Sequence, residues 1–327
     1  MKGLYYRQSL GGGARRSAPP NAIPIRQQSR GVEDLPTIPS ADSTLGNTTV
    51  IESGNVLEMK DSTGSGLIEA LVECRNAKEY ATWVYTFAGA CLLYAFWKGD
   101  WWIGMTGVLA LGFAYWVRIK DIERKGFVLQ YDLDDHATEA AAVLVDICEK
   151  IGAIAKCWHI DSSQEVLDAK YHAGAASVVQ KRETRMKIED PPFLRTNVPV
   201  PSIRMGKETL YFLPDRLLVY AGTNIGAVAY ADLHVRVNDK RFIEESRASV
   251  PGDAEVVGAT WQYVNKKGGP DLRFKNNPEL PICLYEEIHL NSASGLREIL
   301  QLSKRGFGEP FSRALATLQT ATTGIKA

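Results

Sequence analysis

Two uncharged runs separated by a three-residue break limit what this chain can fold into. Tyr80 to Trp97 reads YATWVYTFAGACLLYAFW, Lys98-Gly99-Asp100 interrupts, and Trp101 to Val117 reads WWIGMTGVLALGFAYWV. As helices rising 1.5 Å per residue, each run measures about 26 Å, short but adequate for a bilayer core. A buried helical hairpin in a soluble core has the same composition. Aromatic placement favours the membrane. Trp97, Trp101 and Trp102 gather at the turn, and Tyr80, Trp83, Tyr115 and Trp116 at the opposite ends, as two interfacial belts would. Arg75, Lys78, Arg118, Lys120, Arg124 and Lys125 flank the outer ends, while the turn carries only Lys98. By the positive-inside rule both termini are then cytoplasmic. The expectation is a multi-pass protein of a cytoplasmic (inner) membrane, with membrane lipid as a partner of Trp83, Trp97, Trp101, Trp102 and Trp116.

The two runs hold no Asp, Glu, Lys, Arg or His, so no intramembrane proton relay or ion site is visible. Thr106, Ala110 and Ala114 recur every four residues, with Gly107 beside them. Such a small-residue stripe lets helices approach closely, preferably within the hairpin and alternatively between protomers as a homo-oligomer.

Formal net charge over the 327 residues is zero, so no whole-molecule field argues for a nucleic-acid partner, and none is expected. Five cysteines, odd in number and without a CxxC pair, fit reduced thiols better than a disulfide framework or a zinc site. Residues 1–65 are rich in Gly, Ser, Thr, Pro and Arg and poor in large apolar side chains, which predicts a disordered tail. Residues 66–79 form a juxtamembrane helix leading into the hairpin at 80–117. Residues 118–155 carry an amphipathic helix with Ala137, Ala141, Leu144, Cys148, Ile151 and Ile154 on one stripe, capped by Asp134 or Asp135.

From 156 to 303 the pattern is β-rich. KCWHI and ASVVQKRE are short strand candidates, a proline-rich extended connector follows, and ETLYFL and RLLVY flank a turn at Pro214-Asp215. AVAYADLHVRV, AEVVGATWQYV and PICLYEEIHL continue the series. GLREILQLS reads as helical, and 304–327 as a tail with one short helix. The fold class expected is α+β: a two-span transmembrane helical hairpin followed by a cytoplasmic antiparallel-sheet domain closed by a C-terminal helix, in an element order like that of pleckstrin-homology or GRAM domains.

No Walker-type GxxxxGK[ST], no GxGxxG after a strand, no HExxH and no GxSxG is present, so no cofactor is indicated. His136 and Glu139 share a helix face without a further spaced ligand, so no metal site is expected. Cys157 and His159 lie two apart in a strand, which does not by itself make a nucleophile pair. Asp215, Asp232, Asp271, Glu286 and Glu287 are the other carboxylates open to a catalytic role. The last two should point to opposite faces of a strand, one of them to solvent.

The most distinctive run is NKKGGPDLRFKNN, Asn265 to Asn277. Gly268 and Gly269 can adopt positive φ and present backbone N–H groups. Lys266, Lys267 and Lys275 add charge, Arg273 a planar fork, and Asn276 and Asn277 neutral donors. These residues with Asp271 make a candidate anion-binding set. The bland alternative is a solvated turn in which Asp271 pairs locally with Arg273.

TLYFLPDRLLVY, GAVAYADLHV, TWQYVNKKGGPDLRFKNN and LPICLYEEIHLNSASGL resemble an uncharacterised family of bacterial proteins over about residues 130–303. The resemblance implies a bacterial origin and a C-terminal domain joined to varying N-terminal parts. It supplies no catalytic residues. The leading expectation is a membrane-tethered module that binds a protein partner or anionic ligand. A phosphate- or phosphodiester-processing enzyme and a membrane-permeabilising effector are the alternatives.

Overall fold

The computed structural model describes residues 5–8, 45–59, 65–76, 80–99 and 101–323. Strands β1 (Tyr5–Gln8) and β2 (Leu45–Val50) come first, then helices α1 (Ser65–Asn76), α2 (Tyr80–Lys98) and α3 (Trp101–Lys125). A short β3 (Phe127–Leu129) leads to α4 (Asp135–Gly152). The β-rich region opens with β4 (Cys157–Val166), β5 (Ser177–Thr184), β6 (Met186–Ile188) and β7 (Leu194–Thr196). It continues through β8 (Pro201–Met205), β9 (Glu208–Phe212), β10 (Arg216–Ala221) and β11 (Asn224–Ala229). The last strands are β12 (Leu233–Ile243), β13 (Glu255–Trp261), β14 (Glu279–Ser292) and β15 (Arg297–Leu302), and α5 (Gly308–Thr323) closes the chain. The class is α+β, with mostly antiparallel sheets and a C-terminal helix.

Two main sheets carry the domain, beside the two-stranded pair of β3 and β7. The larger has eight strands and curls back on itself. β14 pairs with β12 along one edge and with β13 and then β15 along the other, and the path runs on through β4, β5 and β1 to β12 again. The smaller sheet, in the order β11-β10-β9-β8-β6, is an antiparallel meander. Its sequence runs are continuously apolar because both its faces are buried. Leu210, Phe212, Leu217, Val219 and Val228 turn one way, toward a core shared with α4, α5 and the outer face of the curled sheet. Tyr211, Leu213, Leu218, Tyr220 and Ile225 turn the other way, against Ile68 and Leu71 of α1. The helices α4 and α5 therefore sit between the two sheets.

Asp134 caps α4 by accepting from the Ala137 N–H at 2.7 Å, and Ala137, Leu144, Cys148 and Ile151 of the expected stripe are buried. The helix is shorter than the expected 118–155. α3 runs on through charged, helix-favouring residues to Lys125, and β3 then pairs in parallel with β7. Within GLREILQLS, Arg297–Leu302 is a strand. Leu300 and Leu302 face the helices while Gln301 is buried on the other side, a period of two that its leucine spacing disguised as a helix. The closing helix lies further on, within the expected tail, where Phe311, Ala314, Leu315 and Leu318 form its buried stripe.

The expected disordered tail at 1–65 lies largely outside the described residues, and 5–8, paired as β1, and 45–59 correct it. Leu45–Val50 adds to the edge of β4, and Val56 and Met59 enter the main core. Gly226 makes that docking feasible, because a Cβ there would stand 2.6 Å from the Val56 carbonyl oxygen. The neighbouring Ala227 N–H donates to Met59 O at 2.8 Å. Two apolar anchors are too few to register in the composition of a long polar stretch.

α2 and α3 pack closely as an antiparallel hairpin. Ala81, Ala88 and Ala95, seven apart, are buried on α2, opposite Gly107 and Ala114 of α3. A Cβ at Gly107 would come 2.8 Å from Leu92 Cγ. Thr106 is exposed and donates to Ile103 O, so Gly107 holds the contact position and Thr106 does not. Among the described residues one helix, over Trp101–Lys120, has the length and apolar composition to cross a membrane. α2 is richer in Tyr and Trp, whose polar handles lower hydropathy, and falls short of the same measure.

Candidate functional site

The Asn265–Asn277 run links β13 to β14 and is organised by its own side chains. Asn277 clasps the Tyr263 backbone, accepting from its N–H at 2.9 Å and donating to its carbonyl at 2.8 Å. Tyr263 stacks on Phe274 at 4.0 Å, and Tyr171 meets both rings edge-on. Asn265 Oδ1 accepts from the N–H groups of Lys267 and Gly269 at 2.9 and 3.1 Å. The Gly268 N–H donates to Asn265 O, with Gly268 at φ +83° as the turn requires. The backbone donors that the sequence offers to an anion are thus satisfied within the turn.

Asp271 is buried and ties the far side of the loop. It accepts from Arg273 Nε at 3.0 Å, from the other arm of the guanidinium at 2.8 Å and from the Arg273 N–H at 3.2 Å. Hydrogen bonds from the Arg273 side chain hold the Asp271 carboxyl far below the usual carboxylate range, and the same pairing raises Arg273. Lys170, on the β4–β5 connection, stands 3.5 Å from Asp271. Its ammonium also lies 5.0 Å from the Tyr171 ring centroid.

These residues line a cleft of about 450 Å³ bounded by Lys170, Asn265, Lys266, Lys267, Asp271 and Arg273. Of the expected set, Lys266, Lys267, Asp271 and Arg273 are brought together there. Gly268 and Gly269 shape the turn, Asn277 braces the backbone, and the exposed Lys275 and Asn276 do not line the cleft. Lys170 is an addition that no local pattern in its own stretch reveals, since it reaches the loop only through the sheet. Lys266 and Lys267 make no ion pair with other described residues. Three cations beyond the Asp271–Arg273 pair make the cleft a place for negative charge.

The other candidates do not assemble a reaction centre. Cys157 packs in the main core, where burial pushes its thiol up. His159 instead meets Glu298 at 2.5 Å and Asp161 at 3.0 Å. Asp215 accepts from the Tyr131 hydroxyl and Arg216 Nε. No cluster of three or more His, Cys, Asp and Glu among the described residues has metal-binding geometry, His136 and Glu139 included.

Glu286 and Glu287 do face opposite ways, but the expectation that one meets solvent is corrected, because both are buried. Glu286 accepts from the N–H groups of Gly306, Phe307 and Gly308 at 3.3, 3.0 and 2.8 Å, satisfying the start of α5. Glu287 takes the Gln301 amide at 3.2 Å. The missing element was the second layer: the helices cover one face of β14 and the sheet's curl encloses the other.

All five tryptophans assigned to the interface are exposed on the hairpin. No family model matches the chain, nor does any curated protein or solved structure.

Proposed function

We propose that the chain is a membrane-tethered binding module and not an enzyme. The hairpin of α2 and α3 spans a bilayer, and the α+β domain works on the side where both helix ends emerge, the cytoplasmic side. The observation that carries this reading is the distribution of exposed apolar side chains. Among the described residues, α2 bears seven large ones and α3 ten, against seven on all the rest. Phe96, Trp97 and Trp83 are 91%, 79% and 78% exposed. A contiguous apolar surface of this kind needs a cover, and lipid fits its belts of aromatic residues. The domain's ligand is an anionic group, on a soluble molecule or a partner protein, received at Lys170, Lys266, Lys267 and Arg273. The loop's carboxylate is spent on Arg273, which supports binding over acid–base chemistry.

In cells, the full chain should stay with membranes through an alkaline carbonate wash, and a chain lacking residues 80–119 should leave them. Recovery of the intact chain in the soluble fraction would refute the anchor. With the protein in neutral-lipid nanodiscs, inositol hexakisphosphate serves as a multivalent anion probe. Lys266→Ala with Lys267→Ala should weaken its binding about tenfold or more, on the order of 1.4 kcal/mol. Unchanged affinity would remove the cleft from the proposal.

A further inference from the structure

The interior of the curled sheet has two unlike ends. At one, Trp158, Phe242 and Tyr285 pack around Lys181 and leave no room. At the other, β12 and β14 present polar side chains from the same face. The register sets His234 opposite Asn291, Arg236 opposite His289, Asn238 opposite Glu287 and Lys240 opposite Tyr285. A cavity of about 660 Å³ opens there, lined by His234, Arg236, Asn238, Lys240, His289 and Asn291. The mouth of a curled or closed sheet is a common place for a small-molecule site, and the volume lies in the usual range.

We propose that this cavity is a second binding site, separate from the basic loop, for a small polar molecule carrying an oxyanion. Two features give the ligand its chemistry. Arg236 and Lys240 form no ion pair with other described residues, and they outnumber the one carboxylate on this face. That carboxylate, Glu287, is already engaged by the Gln301 amide and lies 3.4 Å from His289 Nε2. The guanidinium fork and the ammonium suit phosphate or carboxylate oxygens, and the amides of Asn238 and Asn291 add donors that need no charge.

The second feature is unmet hydrogen bonding in the sheet below. His289, which lines the cavity, has its Nε2 buried with no hydrogen bond, the Glu287 carboxylate at 3.4 Å being its one charged neighbour among the described residues. Buried polar atoms are rarely left so, and a hydroxyl-bearing ligand in the cavity would complete this one. The oxyanion sits on Arg236 and Lys240, and the neutral polar end reaches His289.

The test uses the full chain in neutral-lipid nanodiscs at constant ionic strength, with thermal unfolding and calorimetric titration against pyrophosphate and citrate. At least one should raise the melting temperature by several degrees. Measured in the Lys266→Ala, Lys267→Ala background, which removes anion binding at the loop, Arg236→Gln with Lys240→Gln should lose that effect and at least tenfold in affinity. Asn291→Trp, which fills the mouth and retains both cations, should also abolish binding. A response to pyrophosphate alone assigns a phosphate ester, and one to citrate alone a carboxylate. No response to either, or a response that survives both the Gln pair and Asn291→Trp, overturns the proposal.

Discussion

Lys181→Ala is expected to cost about 3–5 kcal/mol of domain stability, a large fraction of what a folded domain usually possesses. Lys181 and Glu244 are almost wholly enclosed, with Nζ 3.1 Å from Glu244 Oε1. The ammonium lies 3.8 Å from the Trp158 ring centroid and 4.0 Å from that of Phe242. The Tyr285 hydroxyl donates to the same Glu244 oxygen at 2.8 Å. Burial pulls Lys181 down to about 8, against the opposing pull of Glu244. Both charges have left water, so removing one strands the other in an aromatic box.

The informative control is the double variant Lys181→Met with Glu244→Leu, which removes both charges and keeps the volume. It should recover most of the loss, because the pair's desolvation cost disappears with it. Denaturant unfolding monitored by tryptophan fluorescence would read both. If the double variant were no more stable than Lys181→Ala, the stranded-charge explanation would fail and lost packing would replace it.

Stability of the native chain should fall as pH rises from about 4.5 to 7, and Glu208→Gln should flatten that fall. Glu208 begins β9 and is buried beside Glu298, with its Oε2 unpartnered. Burial, reinforced by the Glu298 carboxylate, pushes it up to about 7. An acid whose folded pKa exceeds its unfolded one binds a proton more readily in the folded state. Its contribution is therefore fully present below the unfolded value near 4.5 and is lost as pH climbs through 7. Within that window the slope approaches ~1.4 kcal/mol per pH unit.

The surrounding cluster says where the effect would be felt. Ser53 donates to Glu298 at 2.8 Å, and the Arg297 N–H donates to Ser53 at 3.2 Å, so the 45–59 segment is docked beside this carboxylate pair. Ionising Glu208 adds repulsion there, and protease sensitivity of that segment should rise with pH in the native chain. Thermal melts of the native chain and Glu208→Gln between pH 4.5 and 8 would decide the matter. Parallel curves would exclude Glu208 as the source.

Much of the secondary structure was readable because its signals are local. Uncharged runs ending in Trp97 and beginning at Trp101 bracket the α2–α3 turn, and apolar runs broken at Pro214-Asp215 mark the β9–β10 hairpin. Asp134 announces the start of α4 by its side chain alone. Turn chemistry of the same kind made the Asn265–Asn277 run recognisable as a loop, and its composition as basic. What escaped depended on partners far along the chain. Ser53 meets Glu298 across 245 residues, Lys181 meets Glu244 across 63, and Lys170 joins a loop whose Asp271 lies in another connection.

The sequence by itself determined which stretches are apolar, where helices start and turns fall, and that charge gathers at one loop. These follow from side-chain volume, polarity and backbone preference over a few neighbouring residues. Only the tertiary structure decided that Arg297–Leu302 extends instead of coiling, that Glu286 and Glu287 are both buried, and that Asn265 consumes the donors of its own turn. It also decided which cations remain without a carboxylate, at the loop and at the mouth of the curled sheet. Burial and pairing are properties of a closed surface, and no residue carries them until distant strands have come together.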